Sequence, residues 1–244
     1  VLLMLFCACF SSIPVYALTK EETVYTKLNS DGSTKNILVN EHLINNDKLE
    51  EIEDISNLKD ILNINGNETF KQNDTSLTWT TGGNDIFYQG KINEEMPVTL
   101  EIKYYLDGEE KEIKNIIGKS GKITIELNYH NHDKHYVKVG NQTEELYTPF
   151  VVAMGTVIDA QNNTNIEVSN GKIVNNGINN IIVSLAAPGL YESLQIQELQ
   201  DMDKITISFD TKKFELSSIY SIITPKVLDN DDLEIFDKMD SLYN

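Results

Sequence analysis

The densest run of chemistry-bearing side chains is His130-Asn131-His132-Asp133-Lys134-His135, which holds three of the four histidines. On a strand, residues two apart share a face, so His130 and His132 point the same way. Asp133 or His135 could complete a zinc set, which takes three or four protein donors in tetrahedral geometry. Lys134 places a positive charge inside the run, and the segment reads as a hairpin turn. His130, His132 and His135 are therefore weak metal candidates. A solvated turn is the expectation, and no metal or cofactor is assigned.

Three other stretches invite a chemical reading. Gly118-Lys119-Ser120-Gly121 lacks the longer GxxxxGK[ST] spacing of a phosphate loop, and strand-like segments flank it on both sides, where that loop needs a following helix. Glu50, Glu51, Glu53 and Asp54 lie close together, as a solvated acidic face does. Asp229-Asn230-Asp231 lacks the Gly and the distal Glu of a calcium loop. No Ser sits in a GxSxG setting. No assembled constellation of nucleophile, base and orienting group is visible, so no catalytic residue is assigned and a non-enzyme is expected.

The elements that would position any site come next, starting with the N-terminus. Of the first seventeen residues only Ser11, Ser12 and Pro14 are not apolar, and none is charged. The unbroken apolar run, Val1 to Phe10, is shorter than the ~20 residues a membrane-spanning helix needs. Val15-Tyr16-Ala17 fits the small-residue cleavage site of an export signal, with the cut between Ala17 and Leu18. No basic region or initiator Met precedes the run, so the chain is expected to begin inside a longer precursor. The alternative is lipid attachment at Cys9, for which Phe6 is a poor match at the third position upstream. Both cysteines, Cys7 and Cys9, lie in this stretch. The exported part would then rely on core burial and not on disulfides.

The formal net charge is −18, and all twenty basic residues are Lys. Such a surface repels nucleic acid and anionic lipid. The absence of Arg, together with abundant Asn and Ile, suggests an A/T-rich coding bias and hence a Gram-positive source. Remaining length suits one large or two small domains.

Most of the chain reads as strands. Glu22 to Leu28 and Thr34 to Asn40 flank Asn29-Ser30-Asp31-Gly32-Ser33, a hairpin signal. Val24, Thr26 and Leu28 would share a face. Lys48 to Asn65 carries Ile or Leu at every third residue, and we read it as a short acidic helix over about 47–55 followed by a second helical turn. Ser76 to Thr80 and Asp85 to Gln89 read as a second hairpin. Pro97 to Leu106 and Lys122 to Asn131 alternate cleanly, as half-buried antiparallel strands do. Further short strands are expected at 150–158, 166–169, 172–174, 178–186, 204–210 and 219–223, a spacing that argues a β-sandwich. Asn170-Gly171 reads as a tight turn. Asp231-Asp232 could cap a helix carrying Leu233, Phe236, Met239 and Leu242 or Tyr243. The expected fold is thus mainly β: antiparallel sandwich regions, a short helical insertion near 47–63 and a C-terminal helix. The expected division is a signal over 1–17, hairpins and short helices over 18–93, a sandwich over 94–226, and the start of a helical stalk over 227–244.

The segments KEETVYTKLNSDGSTKNILVNEHL, DISNLKDILNINGNETF, LTWTTGGNDIFYQGKINEEMPVTLEIKYYLDG, GKSGKITIELNYHN and TPFVVAMGTVIDAQN together resemble a group of Firmicutes surface proteins similar to phage-infection-protein (Pip) membrane proteins. The resemblance spans most of Lys20 to Pro225. It implies an exported β-rich region followed by a heptad-repeated helical stalk leading to membrane anchoring. The expected function is a non-enzymatic domain on the extracellular face of the membrane or in the cell wall, presenting a β-rich surface to a surface protein, a phage or a wall polymer. Membrane association would run through a part beyond this chain. The alternative is a carbohydrate-binding or carbohydrate-processing domain, with Trp79, Tyr88, Tyr104 or Tyr105 stacking on sugar; large aromatic rings more often fill cores.

Overall fold

A computed structural model describes residues 19–140 and 142–225. The expected export signal, its Ala17/Leu18 cleavage site and the expected C-terminal helix lie outside the described residues. The protein is mainly β, built from antiparallel sheets. Among the described residues no helix is long and apolar enough to cross a membrane. The chain divides into two compact units. Among the described residues, one holds 19–27 together with 35–94; the other holds 28–34 together with 95–140 and 142–225.

The first unit contains β1 (Thr19–Leu28), β2 (Thr34–Ile44), β3 (Glu51–Ile55), β4 (Lys59–Asn63), β5 (Thr69–Asn73), β6 (Ser76–Thr80) and β7 (Ile86–Lys91). They form a four-stranded sheet ordered β1-β2-β7-β4 and a three-stranded sheet ordered β3-β6-β5. The expected first hairpin is present. The Asp31 carboxylate accepts the Ser33 N–H at 2.9 Å, and Asn29 N–H bonds the Ser33 carbonyl. Gly32, in the 28–34 stretch that belongs to the second unit, has φ +90°, and a Cβ there would sit 2.1 Å from the Leu100 carbonyl oxygen of that same unit, so only glycine fits this turn. Val24, Thr26 and Leu28 do share the less exposed face of β1.

Two expectations fail in this unit. The segment near 47–63 is not helical: it forms β3 and β4, which belong to different sheets. Its true period is two. Ile52, Asp54, Ser56 and Leu58 are buried, while Ile55, which the helical stripe would have turned inward, is 77% exposed. Two of the four inward positions are polar, so the alternation is hidden in the sequence. The turn before β3 is fixed by Asn45, whose side chain donates to the Leu49 and Asn84 carbonyls and accepts the Leu49 N–H. The second failed expectation is the hairpin over 76–89. β6 pairs with β3 and β5, whereas β7 pairs with β2 and β4, so Thr81-Gly82-Gly83-Asn84 carries the chain from one sheet to the other.

The second unit contains β8 (Val98–Leu106), β9 (Glu109–Glu110), α1 (Ile113–Ile116), β10 (Gly121–Asn131), β11 (Lys134–Val139), β12 (Gln142–Tyr147), β13 (Val151–Asp159), β14 (Asn163–Val168), β15 (Gly171–Asn175), β16 (Asn179–Ala186), α2 (Leu190–Leu194), β17 (Lys204–Thr211) and β18 (Ile219–Thr224). A five-stranded sheet runs β14-β17-β10-β8-β9, and a four-stranded sheet runs β15-β16-β13-β18. Both feed one core. Ile123, Ile125, Leu127, Ile205, Ile207 and Phe209 come from the first sheet; Val152, Met154, Ile158, Ile182 and Ala186 come from the second. This is the expected sandwich. Burying each such Ile or Leu side chain is worth ~1.5–3 kcal/mol. The turn at Asn170 is present with φ +51°, and it joins strands of the two sheets. A small cavity between the sheets, about 20 Å³, is lined by Thr156, Asn163 and Phe214 among others, room for about one water.

Candidate functional site

Two constellations stand out, one in each unit. The first is a buried charge cluster. Alternation along β2 aims Ile37, Val39, Glu41 and Leu43 at the interior of the first unit, so Glu41 takes a core position and is only 4% exposed. Asp54 of β3 and Tyr88 of β7 are buried beside it. Lys20, at the start of β1, reaches in with a side chain that stays 28% exposed. Its ammonium lies 3.1 Å from Glu41 Oε1 and 3.1 Å from Asp54 Oδ1. It also donates to the Ile55 carbonyl and the Tyr88 hydroxyl, both at 3.4 Å. The Tyr88 hydroxyl in turn donates to Asp54 Oδ2 at 2.6 Å.

Two carboxylates thus share one ammonium, and Glu41 Oε2 is buried with no hydrogen-bond partner. Burial pushes the Glu41 carboxyl up to about 7, against the pull of Lys20. Burial also works against the Lys20 charge, but the hydrogen bonds and charges of Asp54 and Glu41 outweigh it and hold the lysine above its usual value. Burial, then the Asp54 carboxylate, pushes the Tyr88 phenol far above its ordinary range. Lys20 and Tyr88 are therefore held protonated, and Glu41 is buried beside them. The arrangement pairs charges inside a core.

The second constellation is the outer face of the four-stranded sheet in the second unit. Antiparallel sheets usually turn a polar face to water. Here the outward rows are apolar. Val157 lies beside Ile181, Gly155 lies between Val183 and Tyr220, and Ala153 lies between Leu185 and Ile222. Tyr220 and Ile222 are each 72% exposed, and Val157 is 47% exposed. Charge enters only at the margins of these paired rows, at Lys172 of β15 and Asp159 of β13. The inner face of the same strands builds the core, so β13 and β16 read as near-continuous apolar runs.

The residues singled out in the sequence are scattered. His132 Nε2 lies 2.7 Å from the Thr99 hydroxyl, and His135 Nε2 lies 3.0 Å from Asp133 Oδ1. His130 is exposed at the end of β10. Among the described residues no group of three or more His, Cys, Asp or Glu could hold a metal. His42 stacks on Phe87 at 4.0 Å and contacts Glu21 and Asp85. Gly118 to Gly121 connects α1 to β10. Of the acidic cluster, Glu50, Glu51 and Glu53 are exposed while Asp54 is buried. Trp79, Tyr88 and Tyr104 are buried. Trp79 packs between Phe70 and Tyr88, with ring centroids 4.6 Å and 5.3 Å away. Tyr104 donates to the Ser30 carbonyl and Tyr105 to Glu126. These hydroxyls and rings are engaged within the fold.

Sequence reasoning missed Lys20, Glu41, Tyr220 and Ile222. A signal existed for Glu41, the one acid in the alternating row Ile37, Val39, Glu41, Leu43. A signal existed for β18 too, since IYSIIT carries no polar alternation. No family model matches the chain, no curated protein matches it, and no solved structure matches it.

Proposed function

We propose that this chain is a non-enzymatic, exported β-rich domain of a membrane- or wall-associated bacterial protein, of the Pip-like surface group it resembles, and that it presents the outer face of its four-stranded sheet to a protein partner. The observation that carries this reading is the row structure of that face: Val157, Tyr220 and Ile222 stand exposed on a chain of net charge −18. An apolar patch of this kind, rimmed by charge, is the usual mark of a docking surface. A surface protein or a phage protein suits it better than a wall polymer, whose hydroxyls and charges gain nothing from Val, Ile and Ala. The export reading is supported by the apolar opening stretch and its Val15-Tyr16-Ala17 site.

The test uses the full-length protein in its own cells, with a photo-crosslinking benzoylphenylalanine at Val157. The expected result is digestion of the domain by protease added to intact cells, and a crosslink to one discrete protein. The crosslink should disappear when Ile222→Lys is added. Protection of the domain on intact cells sinks the surface location; absence of any crosslinked protein sinks the docking face.

A further inference from the structure

The two edges of the four-stranded sheet in the second unit are unlike. Edge strands expose unpaired backbone N–H and C=O groups and are normally blunted by charge, proline or bulges. β15 carries Lys172. In the other sheets β1 carries Lys20, β3 Glu53, β4 Lys59, β5 Lys71 and β14 Glu167; β9, β11 and β12 are charged as well. β4 and β14 also break register, with Asp60 and Asn165 at positive φ. Among the described residues, β18 has none of these devices over 219–223. Its sequence Ile219-Tyr220-Ser221-Ile222-Ile223-Thr224 contains no charge and no proline. Its register on β13 runs from Thr156↔Ile219 to Val151↔Thr224 without a bulge. Ser221 is tied from behind by Tyr129, whose hydroxyl lies 2.7 Å from the Ser221 hydroxyl.

We propose that the edge of β18 pairs antiparallel with the β18 edge of a second copy of this chain, joining two four-stranded sheets into one eight-stranded sheet about a two-fold axis. The strand is self-complementary in that arrangement. With the axis at Ser221, Tyr220 lies opposite the partner's Ile222 on the outer face, and Ile222 lies opposite the partner's Tyr220. Aromatic and β-branched residues placed in this way form favourable cross-strand pairs. On the inner face Ile219 lies opposite the partner's Ile223. The charge pattern selects this occupant. β18 holds no carboxylate to choose a basic strand and no charge to repel its own copy. The opposing term is the long-range repulsion between chains of net charge −18. Salt screens that repulsion over a Debye length of ~8 Å at physiological ionic strength. The dimer should therefore tighten as salt is added, opposite to an interface held by ion pairs.

Sedimentation of the full chain over a concentration series, at low and high sodium chloride, tests this. A monomer–dimer equilibrium that strengthens with salt is expected. Ile222→Lys should weaken it roughly tenfold or more, because the introduced charges face each other's strands. Ile178→Lys, at an exposed apolar residue away from β18, should leave it unchanged. Hydrogen exchange on the unaltered chain supplies a readout that needs no variant: the amides of residues 219–223 should gain protection with rising concentration. A monomer at every concentration and salt overturns the proposal, as does a dimer unaffected by Ile222→Lys or one that leaves the β18 amides unprotected. Crosslinking from Val157 to a different protein is unaffected by those outcomes, so the docking face and the dimer edge can fail separately.

Discussion

Tyr88 of β7 donates a 2.6 Å hydrogen bond to Asp54 of β3, linking the two sheets of the first unit through a buried carboxylate. The bond is charge-assisted and shielded from water, which is the setting in which a hydrogen bond contributes most. Tyr88→Phe keeps the ring against Trp79 and removes the hydroxyl, which donates to Asp54 and accepts a longer bond from Lys20. A hydrogen bond to a charged group is worth ~1.5–3 kcal/mol. The variant should lose about 2 kcal/mol of stability by urea denaturation. An unchanged midpoint would mean that water or Lys20 replaces the donor fully.

Lys20 is the only cation hydrogen-bonded to Asp54 and Glu41 among the described residues. Lys20→Ala therefore leaves two acids in the core without a counter-ion. Breaking a buried pair costs ~3–5 kcal/mol. Partial exposure of Lys20 places this case near the lower end, at about 3 kcal/mol. Lys20→Met should be no better, since the missing element is charge and not bulk. A loss below about 1 kcal/mol in both variants would show that water enters the cluster.

Glu41 makes the stability of this unit depend on pH. Its carboxyl sits at about 7 in the folded chain, above the ordinary value of 4.5, because burial disfavours the charged form. The folded state therefore binds the proton more tightly than the unfolded state. The sign follows: this contribution is fully present below pH 4.5, falls as pH rises towards 7, and is absent above it. Asp31, Asp60, Glu68, Asp85, Glu109 and Asp159 act in the opposite sense, because hydrogen bonds hold them below their usual values. Their window lies in more acidic solution, so the two effects separate. The urea midpoint should fall between pH 4.5 and 7, and Glu41→Gln should flatten that slope.

The strands that build the sandwich were legible because each puts its apolar residues on one side. β8 and β10 alternate without interruption, and their inward residues Tyr104, Ile123, Ile125, Leu127 and Tyr129 are all core. The first unit was not legible in the same way. β3 spends its inward positions on Ile52 and Asp54, and Asp54 becomes tolerable there only through Lys20 and Tyr88, each 34 residues away. No local pattern predicts a partner at that distance. The leucine and isoleucine spacing over 49–64 was real, but it mixed inward residues such as Ile52 and Leu58 with exposed ones such as Ile55 and Ile64. The histidine run failed as a constellation because β10 ends at Asn131, so His130 and His132 do not share one strand.

Trp79 is the single tryptophan, so its fluorescence reports on the first unit alone. It is fully buried and its indole N–H has no hydrogen-bond partner. Emission should be blue-shifted and quenched little by acrylamide in the folded chain. Wall polysaccharide should leave it unchanged, because no ring face is open to sugar. Quenching as efficient as that of free indole, or a polysaccharide-induced shift, would contradict the buried placement. Trp79→Phe should cost less than a usual core truncation of ~3–5 kcal/mol. The reason is that it also removes an unsatisfied buried donor.

Gly90 of β7 packs closely against Leu58 and Lys59 at the start of β4. A Cβ at this position would lie 2.6 Å from Leu58 Cβ and 3.1 Å from the Lys59 carbonyl oxygen. Its two nearest neighbours are a Cβ and backbone, which cannot swing aside as the Leu58 Cδ1 at 3.2 Å could. Gly90→Ala should therefore force the strands apart at a cost of about 1–3 kcal/mol, the usual range for overpacking. Leu58→Ala should not rescue it, because alanine keeps the Cβ that clashes. Leu58→Gly should recover part of the loss attributable to Gly90→Ala, measured as a coupling energy in a double-mutant cycle. Equal rescue by Leu58→Ala and Leu58→Gly would place the clash further out on the leucine side chain and contradict this packing of β7 on residue 58.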